Sequence, residues 1–369
     1  MKFTVERSAF LEAISRLQKV VGNKTSLPVL EGILLSAEPG SLKLSSYNLE
    51  MGMQKEIYAN CAESGEIVIS ANLLANIIRK LNGPQVEIES DDRLMCHIRC
   101  NEAVFDIMGM AAGDFPEIPS VEDGAKLKIQ SELFSNMVKG TIFAVAQIEG
   151  TRPILTGINI SVKNNILQFV TIDGFRLAIR REKVENCEDI EFVAAGKAVS
   201  EFSKLIDENS EEIEITVGKR LISFSVNGYV FISRLLEGEF VNYEKIIPTE
   251  FKQKATLNLN ELVSTLECVS IIINDTLSTP VRCAFEKNKL TLNCTTALGK
   301  SSEKINVELE GDPFEIGMNS RYFLDALKVC SSNEITLTFS GENSGVLIRS
   351  ADENNKDFLY LVMPMRLKK

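Results

Sequence analysis

The stretch Leu27-Pro28-Val29-Leu30 recurs twice further along the chain, as Arg152-Pro153-Ile154-Leu155 and as Thr279-Pro280-Val281. The three prolines are spaced 125 and 127 residues apart. Repeats that build solenoids have periods of about 20–50 residues, whereas a period as long as this one is the length of a whole domain. The sequence therefore predicts three similar domains in tandem.

Other features recur with nearly the same period. An alternating apolar pair appears as Leu42/Leu44, Leu167/Phe169 and Leu290/Leu292. An amphipathic helix precedes each proline, and its apolar residues follow helical spacing. In the first copy these apolar residues are Phe10, Leu11, Ile14, Leu17 and Val21. A helix-capping residue type stands just before each helix, at Ser8, Ser131 and Asn260, and we expect each to cap it.

The second half of each unit also repeats. A short strand, such as Glu66-Ile67-Val68-Ile69, leads into a second helix, and alternating strands follow it. This order predicts an α+β fold with two helices per domain packed on antiparallel sheets, in domains 1–122, 123–248 and 249–369. Strands left at the two ends of the chain favour edge-to-edge pairing between subunits, and hence a closed, ring-forming oligomer.

Composition limits the function of this 369-residue chain only loosely. Its formal net charge of −11 argues against a nucleic-acid partner unless the basic residues gather on one surface. The longest apolar runs, such as Ile271-Ile272-Ile273, fall far short of the roughly 20 residues of a membrane-spanning helix, so no membrane partner is expected. The eight scattered cysteines form no disulfide framework, which indicates a reduced, cytoplasmic protein.

The sequence offers no constellation of residues for catalysis. Its one histidine, His97, lies between Cys96 and Cys100, so a metallohydrolase that holds zinc on these three residues is an open alternative. In a strand, however, the two cysteines face one side and His97 faces the other, and a fourth ligand is missing. No phosphate-binding loop, nucleophile elbow or HExxH pattern occurs. We therefore predict a non-enzymatic protein without metal or cofactor.

Two segments break the threefold pattern. The middle copy has Asp173-Gly174-Phe175-Arg176-Leu177-Ala178, where Asp-Gly is typical of a tight turn and the next three residues form either part of that turn or an exposed apolar and basic lip. The C-terminal stretch is unusually apolar for a chain end. We expect a strand over Leu359–Val362, which Pro364 ends. Met365-Arg366-Leu367 should then lie outside the sheet, either simply packed or as part of a partner groove.

The whole chain resembles the bacterial sliding clamp family, the β subunits of DNA polymerase III. The matching motifs are Met1-Lys2-Phe3-Thr4-Val5-Glu6-Arg7, Leu27-Pro28, Asp114-Phe115-Pro116, Asp173-Gly174-x-Arg176-Leu177-Ala178, Asn319-x-x-Tyr322 and the tail Met363-Pro364-Met365-Arg366-Leu367. The resemblance implies a DNA-clamp fold and a head-to-tail homodimer, a ring with its helices lining the hole. It implies double-stranded DNA as the enclosed partner. It also implies that the polymerase III catalytic subunit, the clamp loader and other proteins with a clamp-binding motif are clients.

The resemblance further implies a partner-peptide groove between the second and third domains. The matching positions are Leu155, Gly174, Phe175, Arg176, Leu177, Val241, Ile246, Leu277, Asn319, Tyr322, Val346, Val362, Met363, Pro364, Met365, Arg366 and Leu367. Phe175 stands where the family often has histidine, Val241 where proline is common and Leu277 where an aromatic residue is usual. We expect Val241 to change the shape of the groove rim.

The remaining implied sites concern DNA and the second subunit. The resemblance implies that Lys24 and Arg152 face DNA. Our hypothesis of a basic lining inside an acidic shell rests on cations at helix ends, which include Arg16, Lys19, Lys24, Lys204 and Lys328. Four further cations at helix ends are expected to face DNA. Those four are Arg79, Lys80, Lys139 and Lys197. The subunit interface is expected at Phe105, Ile272 and Ile273. Scattered, solvated lysines are the alternative to a lining, and a three-domain scaffold that binds no DNA is the alternative function.

Overall fold

The computed structural model describes residues 1–22, 26–121, 123–147, 152–185, 187–274, 279–341 and 343–367. In these ranges one order of elements occurs three times: a strand and a helix, several strands, a second helix, and closing strands. This confirms the predicted α+β fold with two helices per repeat. The bounds of the three predicted domains stay a prediction. No helix in the described ranges is long and apolar enough to cross a membrane.

The helices and strands of the described ranges alternate along the chain. The helices are α1 (Arg7–Leu17), α2 (Ala71–Lys80), α3 (Ser131–Lys139), α4 (Gly196–Ser203), α5 (Leu259–Ser270) and α6 (Ser320–Leu327). The strands are β1 (Lys2–Glu6), β2 (Gly32–Glu38), β3 (Gly40–Tyr47), β4 (Met51–Glu63), β5 (Gly65–Ser70), β6 (Gln85–Ser90), β7 (Met95–Cys100), β8 (Ala103–Met108), β9 (Ala125–Gln130), β10 (Gly157–Lys163), β11 (Ile166–Ile172), β12 (Arg176–Lys183), β13 (Ile190–Ala195), β14 (Glu212–Val217), β15 (Leu221–Val226), β16 (Tyr229–Arg234), β17 (Gln253–Asn258), β18 (Val281–Glu286), β19 (Lys289–Thr296), β20 (Gly299–Asn306), β21 (Glu308–Glu310), β22 (Phe314–Met318), β23 (Glu334–Phe339), β24 (Val346–Ser350) and β25 (Phe358–Val362).

The chain divides into two compact units, and the first contains Met1–Glu132 and Lys197–Leu235. Its sheet runs in the order β8-β7-β6-β1-β4-β16-β15-β14-β9, with β2, β3 and β5 attached through β4. Helix α1 packs against α2. Apolar residues of both helices are fully buried, such as Phe10 and Ile14 on α1 and Ile78 on α2, because helical spacing gathers them on one face.

The second unit contains Leu133–Gly196 and Leu236–Lys369. Its larger sheet runs β13-β10-β11-β12-β25-β24-β23-β17-β21, and a smaller one runs β20-β19-β18-β22. Alternation along β24 sends Val346 and Ile348 into the core that holds the apolar residues of α5 and α6. Leu347 and Arg349 point to the opposite face, which we call the open face.

The predicted helix caps are displaced by one or two residues. Helix α1 begins at Arg7, so Ser8 lies inside its first turn. Asn258, and not Asn260, caps α5 by accepting a hydrogen bond from the Glu261 N–H at 3.0 Å. Ser131 is the first residue within α3, and its hydroxyl donates to a carbonyl outside the helix. The three cap predictions are wrong because capping needs an extended backbone just before the first turn, which residue type alone does not determine.

Candidate functional site

Asp173 and Gly174 build the turn between β11 and β12, as the Asp-Gly pair predicts. Oδ1 of Asp173 accepts hydrogen bonds from the backbone N–H groups of Phe175 and Arg176, at 2.8 and 2.9 Å. Gly174 has a φ of +92°, in the region where a Cβ causes strain. The turn therefore fixes the backbone from which the next two side chains project.

Of the predicted lip, Phe175 alone is exposed. Its side chain is 59% exposed, and its ring centroid lies 6.0 Å from that of Tyr322. Leu177 is fully buried, and the Arg176 side chain is largely buried. The prediction of an exposed lip is wrong for these two residues. Because side chains alternate along β12, Leu177 points into the buried apolar cluster of the sheet. Ion pairs with Asp173 and Asp325 keep the Arg176 side chain packed against the protein.

Two carboxylates and two aromatic rings surround Arg176. Its Nε donates to Asp173 at 2.9 Å, and its Nη1 donates to Asp325 at 2.6 Å. Its guanidinium carbon lies 4.2 Å from the ring centroid of Tyr322 and 5.6 Å from that of Phe143. These contacts offset the cost of burying a charge, because each supplies negative potential. Arg176 thus ties the start of β12 to helix α6.

An apolar cluster lies beside this arginine on the open face. Its fully or nearly fully buried members come from β11, β12, β24 and β25: Val170, Ile172, Leu177, Ile179, Leu347, Leu359 and Leu361. Half-buried apolar residues cover them: Leu155, Phe240, Tyr243, Ile247 and Met363. A buried apolar floor beneath partly exposed apolar walls is the kind of surface on which an apolar ligand packs.

The C-terminal tail runs from the edge of this cluster to β22. The Met363 N–H donates to the Phe175 carbonyl at 2.8 Å, and the Met365 N–H donates to the Gly317 carbonyl at 2.8 Å. Pro364 lies beyond the end of β25, as predicted. Met365-Arg366-Leu367 also lie outside every strand of the described ranges, as predicted, and Met365 contacts β22 through one isolated bridge with Gly317. A residue after proline keeps its own backbone N–H, and that of Met365 donates to the Gly317 carbonyl of β22.

Several predicted groove residues lie beneath the surface. Val346 and Val362 face each other across β24 and β25, and both are buried in the core on the helix side. Asn319 caps α6 by accepting a hydrogen bond from the Tyr322 N–H at 3.1 Å. These residues shape the site from below. Any ligand contacts therefore fall to the residues above them.

Other predicted groove residues lie at the surface. Ile246 is 40% exposed, and Val241 is half-buried in the segment that leads to it. Arg366 is exposed, whereas Leu367 is half-buried close to Gly317. Leu277 lies outside the described residues.

Five residues of the site were not predicted from the sequence. Asp325 and Phe143 contact Arg176, and Phe240, Tyr243 and Ile247 cover the apolar cluster. A signal existed for the last three, since they are large apolar or aromatic residues that flank the predicted Val241 and Ile246 in a short segment. No local signal marks the first two residues, because their contact with Arg176 comes from the tertiary fold.

The predicted DNA-facing cations are exposed at helix ends. Arg79 and Lys80 lie in the last turn of α2, and Lys139 lies in the last turn of α3. Lys197 and Arg152 are exposed too, while Lys24 lies outside the described residues. Cations in a last turn also favour the helix dipole, so their location alone does not assign a ligand. In the described part of the chain, these five exposed cations form no ion pair.

The predicted interface residues lie on a strand edge and after a helix. Phe105 is 37% exposed on β8, an end strand of the first unit's sheet. Its neighbours Val104 and Met108 are 58% and 64% exposed. Ile272 and Ile273 are half-buried after α5, and Ile273 packs against the core of the second unit.

The arrangement around His97 does not support the zinc alternative. Cys96 and Cys100 are buried on one face of β7, while His97 on the other face contacts Asp106 at 2.5 Å. Burial raises the pKa of the Cys96 thiol to about 12, which disfavours the thiolate that zinc needs. Among the described residues, no group of three histidine, cysteine, aspartate or glutamate side chains is arranged to hold a metal.

Comparison with known families covers nearly the whole chain. The DNA polymerase III beta subunit matches through its N-terminal domain over residues 1–119, its central domain over 128–242 and its C-terminal domain over 244–366. The chain belongs to the DNA polymerase III beta subunit family. The resemblance read from the sequence motifs is thereby confirmed. Membership in this family agrees with the prediction of a non-enzymatic clamp and does not favour the scaffold alternative.

Individual relatives agree with this membership. The beta sliding clamp of Bacillus subtilis (strain 168) is 30% identical over 381 residues, which cover 99% of this chain and 100% of the relative. A solved DNA polymerase sliding clamp from Bacillus subtilis has a TM-score of 0.95 at 28% identity, with 100% of each chain covered. A sliding clamp from Pseudomonas aeruginosa bound to griselimycin has a TM-score of 0.91 at 27% identity, with 100% of each chain covered.

Proposed function

We propose that the chain works as a DNA sliding clamp, a homodimeric ring that encloses duplex DNA and holds a polymerase and other clients through a peptide groove. The observation that carries the proposal is the match to beta sliding clamps over 99% of the chain. The side chains described above support each part of the proposal by their chemistry.

The proposed groove consists of the apolar cluster, Phe175 and the tail. A short apolar peptide motif would bury its side chains against Leu155, Ile247 and Met363, above the floor made by Leu177 and Leu361. A few such anchors carry most of the energy of a peptide interface. Methionine side chains adapt to different shapes, which suits a groove that serves several clients.

The clients are proposed to be the polymerase III catalytic subunit, the clamp loader and other proteins with a clamp-binding motif. Arg176 supports this role indirectly. Because it is satisfied by Asp173 and Asp325, it presents little free charge. Its guanidinium instead packs on the Tyr322 ring, which contacts Phe175 beside the groove. The groove therefore favours apolar anchors over charged ones.

Ring closure is proposed to join β8 of one subunit to β20 of the other. In the described part, β8 pairs with β7 alone and β20 pairs with β19 alone, so each strand has one open edge. An open edge with exposed apolar residues such as Phe105 readily accepts a strand from another chain. Pairing of these edges in both directions gives two equal head-to-tail contacts and a closed dimer. Ile272 and Ile273 are proposed to pack at the same contact.

DNA is proposed to be held by enclosure, with few phosphate contacts. The cations at helix ends, Arg79, Lys80, Lys139 and Lys197, would supply these contacts, together with Lys24 and Arg152. The net charge of −11 is compatible with this arrangement because a ring does not need high affinity to stay on DNA. Weak contacts also allow sliding.

Retention on DNA tests the enclosure. The protein is loaded onto a nicked plasmid with a clamp loader and ATP, and the complex is then passed over a gel-filtration column. We expect the clamp to co-elute with the circle, and to leave once a restriction enzyme has made the plasmid linear. Equal retention on circular and linear DNA contradicts enclosure.

Deletion of Met365–Leu367 tests the groove. We expect the truncated chain to lose affinity for a clamp-binding peptide, measured by fluorescence anisotropy, while its thermal unfolding stays close to that of the full chain. The truncated chain ends at Pro364 and therefore also lacks 368–369. The matched control lacks 368–369 alone and should bind normally. Unchanged peptide affinity after the longer deletion contradicts the groove assignment.

A further inference from the structure

A second cleft, of about 510 Å³, lies on the open face at β17, β23 and β24 and the segment that follows β24. The strand register arranges its side chains in two rows. Arg349 lies opposite Thr336, and Thr338 lies opposite Lys254. None of these residues belongs to the proposed peptide groove, and none is assigned to DNA or to the subunit interface.

Two arginines line this cleft without carboxylate partners. Arg349 is half-buried, and its guanidinium carbon lies 5.7 Å from the ring centroid of Phe251. Arg181 donates from Nε to the Gln168 side chain at 2.7 Å. Within the described residues, neither arginine forms an ion pair, and both Nη groups of Arg181 lack an acceptor. Burial, and then the positive charge of Arg181, lower the pKa of Arg349.

Hydrogen bonds orient the guanidinium of Arg181 in the cleft. Gln168, which accepts from Arg181, donates in turn to the Tyr243 hydroxyl at 2.7 Å, so the guanidinium has a defined orientation. Thr338 also lines the cleft, and its buried hydroxyl has no hydrogen-bond partner in the described part of the chain. A buried polar group without a protein partner is uncommon, and an ordered water or a molecule bound in the cleft would satisfy it.

The other charged groups of the cleft do not neutralise these arginines. Asp352 is exposed, and its carboxylate accepts a hydrogen bond from the Asn354 N–H at 2.9 Å within its own turn. Glu353 and Lys356 are exposed as well. Lys254 is already paired with Glu310 at 3.3 Å. Among the described residues no carboxylate forms an ion pair with either arginine, so an anion bound in the cleft would be the direct counter-ion of both guanidinium groups.

We propose that Arg181 and Arg349 bind a dianionic phosphate group, either free inorganic phosphate or the phosphate of a small ester such as a mononucleotide. The planar fork of a guanidinium matches two oxygens of a phosphate. A dianion balances both arginines, whereas a single carboxylate balances one. The cleft volume falls in the range of small-ligand sites, and the Phe251 ring beside Arg349 offers an apolar wall for the rest of an ester.

Isothermal titration calorimetry of the full chain tests the site with phosphate, uridine monophosphate and uridine at constant ionic strength. We expect saturable binding of a phosphate-bearing probe and none of uridine. Tighter binding of the monophosphate assigns an ester ligand, and equal binding assigns free phosphate. Arg181→Gln and Arg349→Gln should each weaken binding at least about tenfold, since hydrogen bonds to charged groups are the strong ones.

Arg93→Gln is the matched control, because Arg93 is exposed on a loop of the first unit. It should bind phosphate as the unmodified chain does. All three variants should keep their affinity for the clamp-binding peptide, which shows that the second unit is folded. The proposal is overturned if neither phosphate nor uridine monophosphate binds saturably, if uridine binds as well as the monophosphate, or if either arginine variant binds fully.

Discussion

The Arg176 guanidinium donates to the Asp325 carboxylate at 2.6 Å and so joins two residues that lie 149 positions apart in the sequence. Removing this contact by Arg176→Ala should lower the free energy of unfolding by about 2 kcal/mol, since a largely buried ion pair loses one partner while Asp325 remains partly exposed. Affinity for a clamp-binding peptide should fall as well, because the Tyr322 ring, which contacts Phe175, loses the guanidinium that packs on it. Urea unfolding and fluorescence anisotropy measure the two effects.

Lys163→Ala is the control for the ion-pair prediction. Lys163 pairs with Glu191 at 2.6 Å, but both side chains are about half-exposed. Its removal should cost less than about 1 kcal/mol and leave peptide affinity unchanged. Equal losses of stability in the two variants would show that burial does not strengthen the Arg176 contacts.

Gly317→Ala should displace the tail. A Cβ at this position would lie 2.6 Å from the Met365 carbonyl oxygen and 2.7 Å from Leu367 Cδ2, which is too close for either to stay. We expect weaker peptide binding and faster carboxypeptidase digestion of the tail, with little change in far-ultraviolet circular dichroism. Gly341→Ala is the control, because its nearest neighbour would be 3.7 Å away. An intact tail in the Gly317 variant rules out the bridge to Met365.

The residues that sequence predicted best depend on local chemistry. Asp173 and Gly174 form their turn because one carboxylate satisfies two backbone N–H groups within three residues. The alternating pair Leu42/Leu44 is buried because a strand has a period of two. The alternating pair recurs in each repeat, whereas the Asp-Gly turn occurs in the middle copy. Neither feature needs knowledge of the tertiary fold.

The features that sequence missed depend on long-range contacts or on exact backbone position. An exposed lip was one of two alternatives for Arg176, because nothing near it in the sequence reveals its contact with Asp325. The sequence does not predict the bridge of Met365, because its partner, Gly317, belongs to a strand far away in the sequence. The sequence predicts the cap of α5 at Asn260, whereas Asn258 is the cap. The two asparagines lie two residues apart, and nothing local distinguishes them.

Cys96 should resist alkylation in the folded chain. Its pKa is raised to about 12 by burial, above an ordinary value near 8.5, so the reactive thiolate is nearly absent at pH 8.5. Between about pH 8.5 and 12 the unfolded chain releases the Cys96 proton while the folded chain keeps it. The free energy of unfolding that Cys96 contributes therefore falls as the pH rises through this range. Iodoacetamide at pH 8.5 with mass spectrometry measures the reaction. The same chain unfolded in urea is the positive control, since its Cys96 thiol is exposed to solvent. Rapid labelling of native Cys96 contradicts its burial.

Phe105→Asp should dissociate the proposed dimer. A charge on the open edge of β8 repels an incoming strand and removes a 37% exposed apolar side chain from the proposed contact. Sedimentation velocity should show a shift from dimer to monomer with unchanged secondary structure. Tyr58→Asp is the control, since Tyr58 is 79% exposed on β4, whose two edges are already paired. A dimer that survives the Phe105 change contradicts the β8 assignment.

Lys139→Gln combined with Lys197→Gln should weaken the encounter with DNA without affecting peptide binding. Both lysines are exposed at helix ends and lack ion pairs within the described residues, so they are available to phosphates. If each neutralises one phosphate, the slope of log affinity against log salt concentration should become shallower by about 0.9 per lysine. Titrations of duplex DNA between low and moderate salt measure this slope. Lys126→Gln combined with Lys163→Gln is the control of equal charge, because both lysines already pair with glutamates on strands. The same change of slope in both double variants means that net charge, and not a basic lining, governs the attraction.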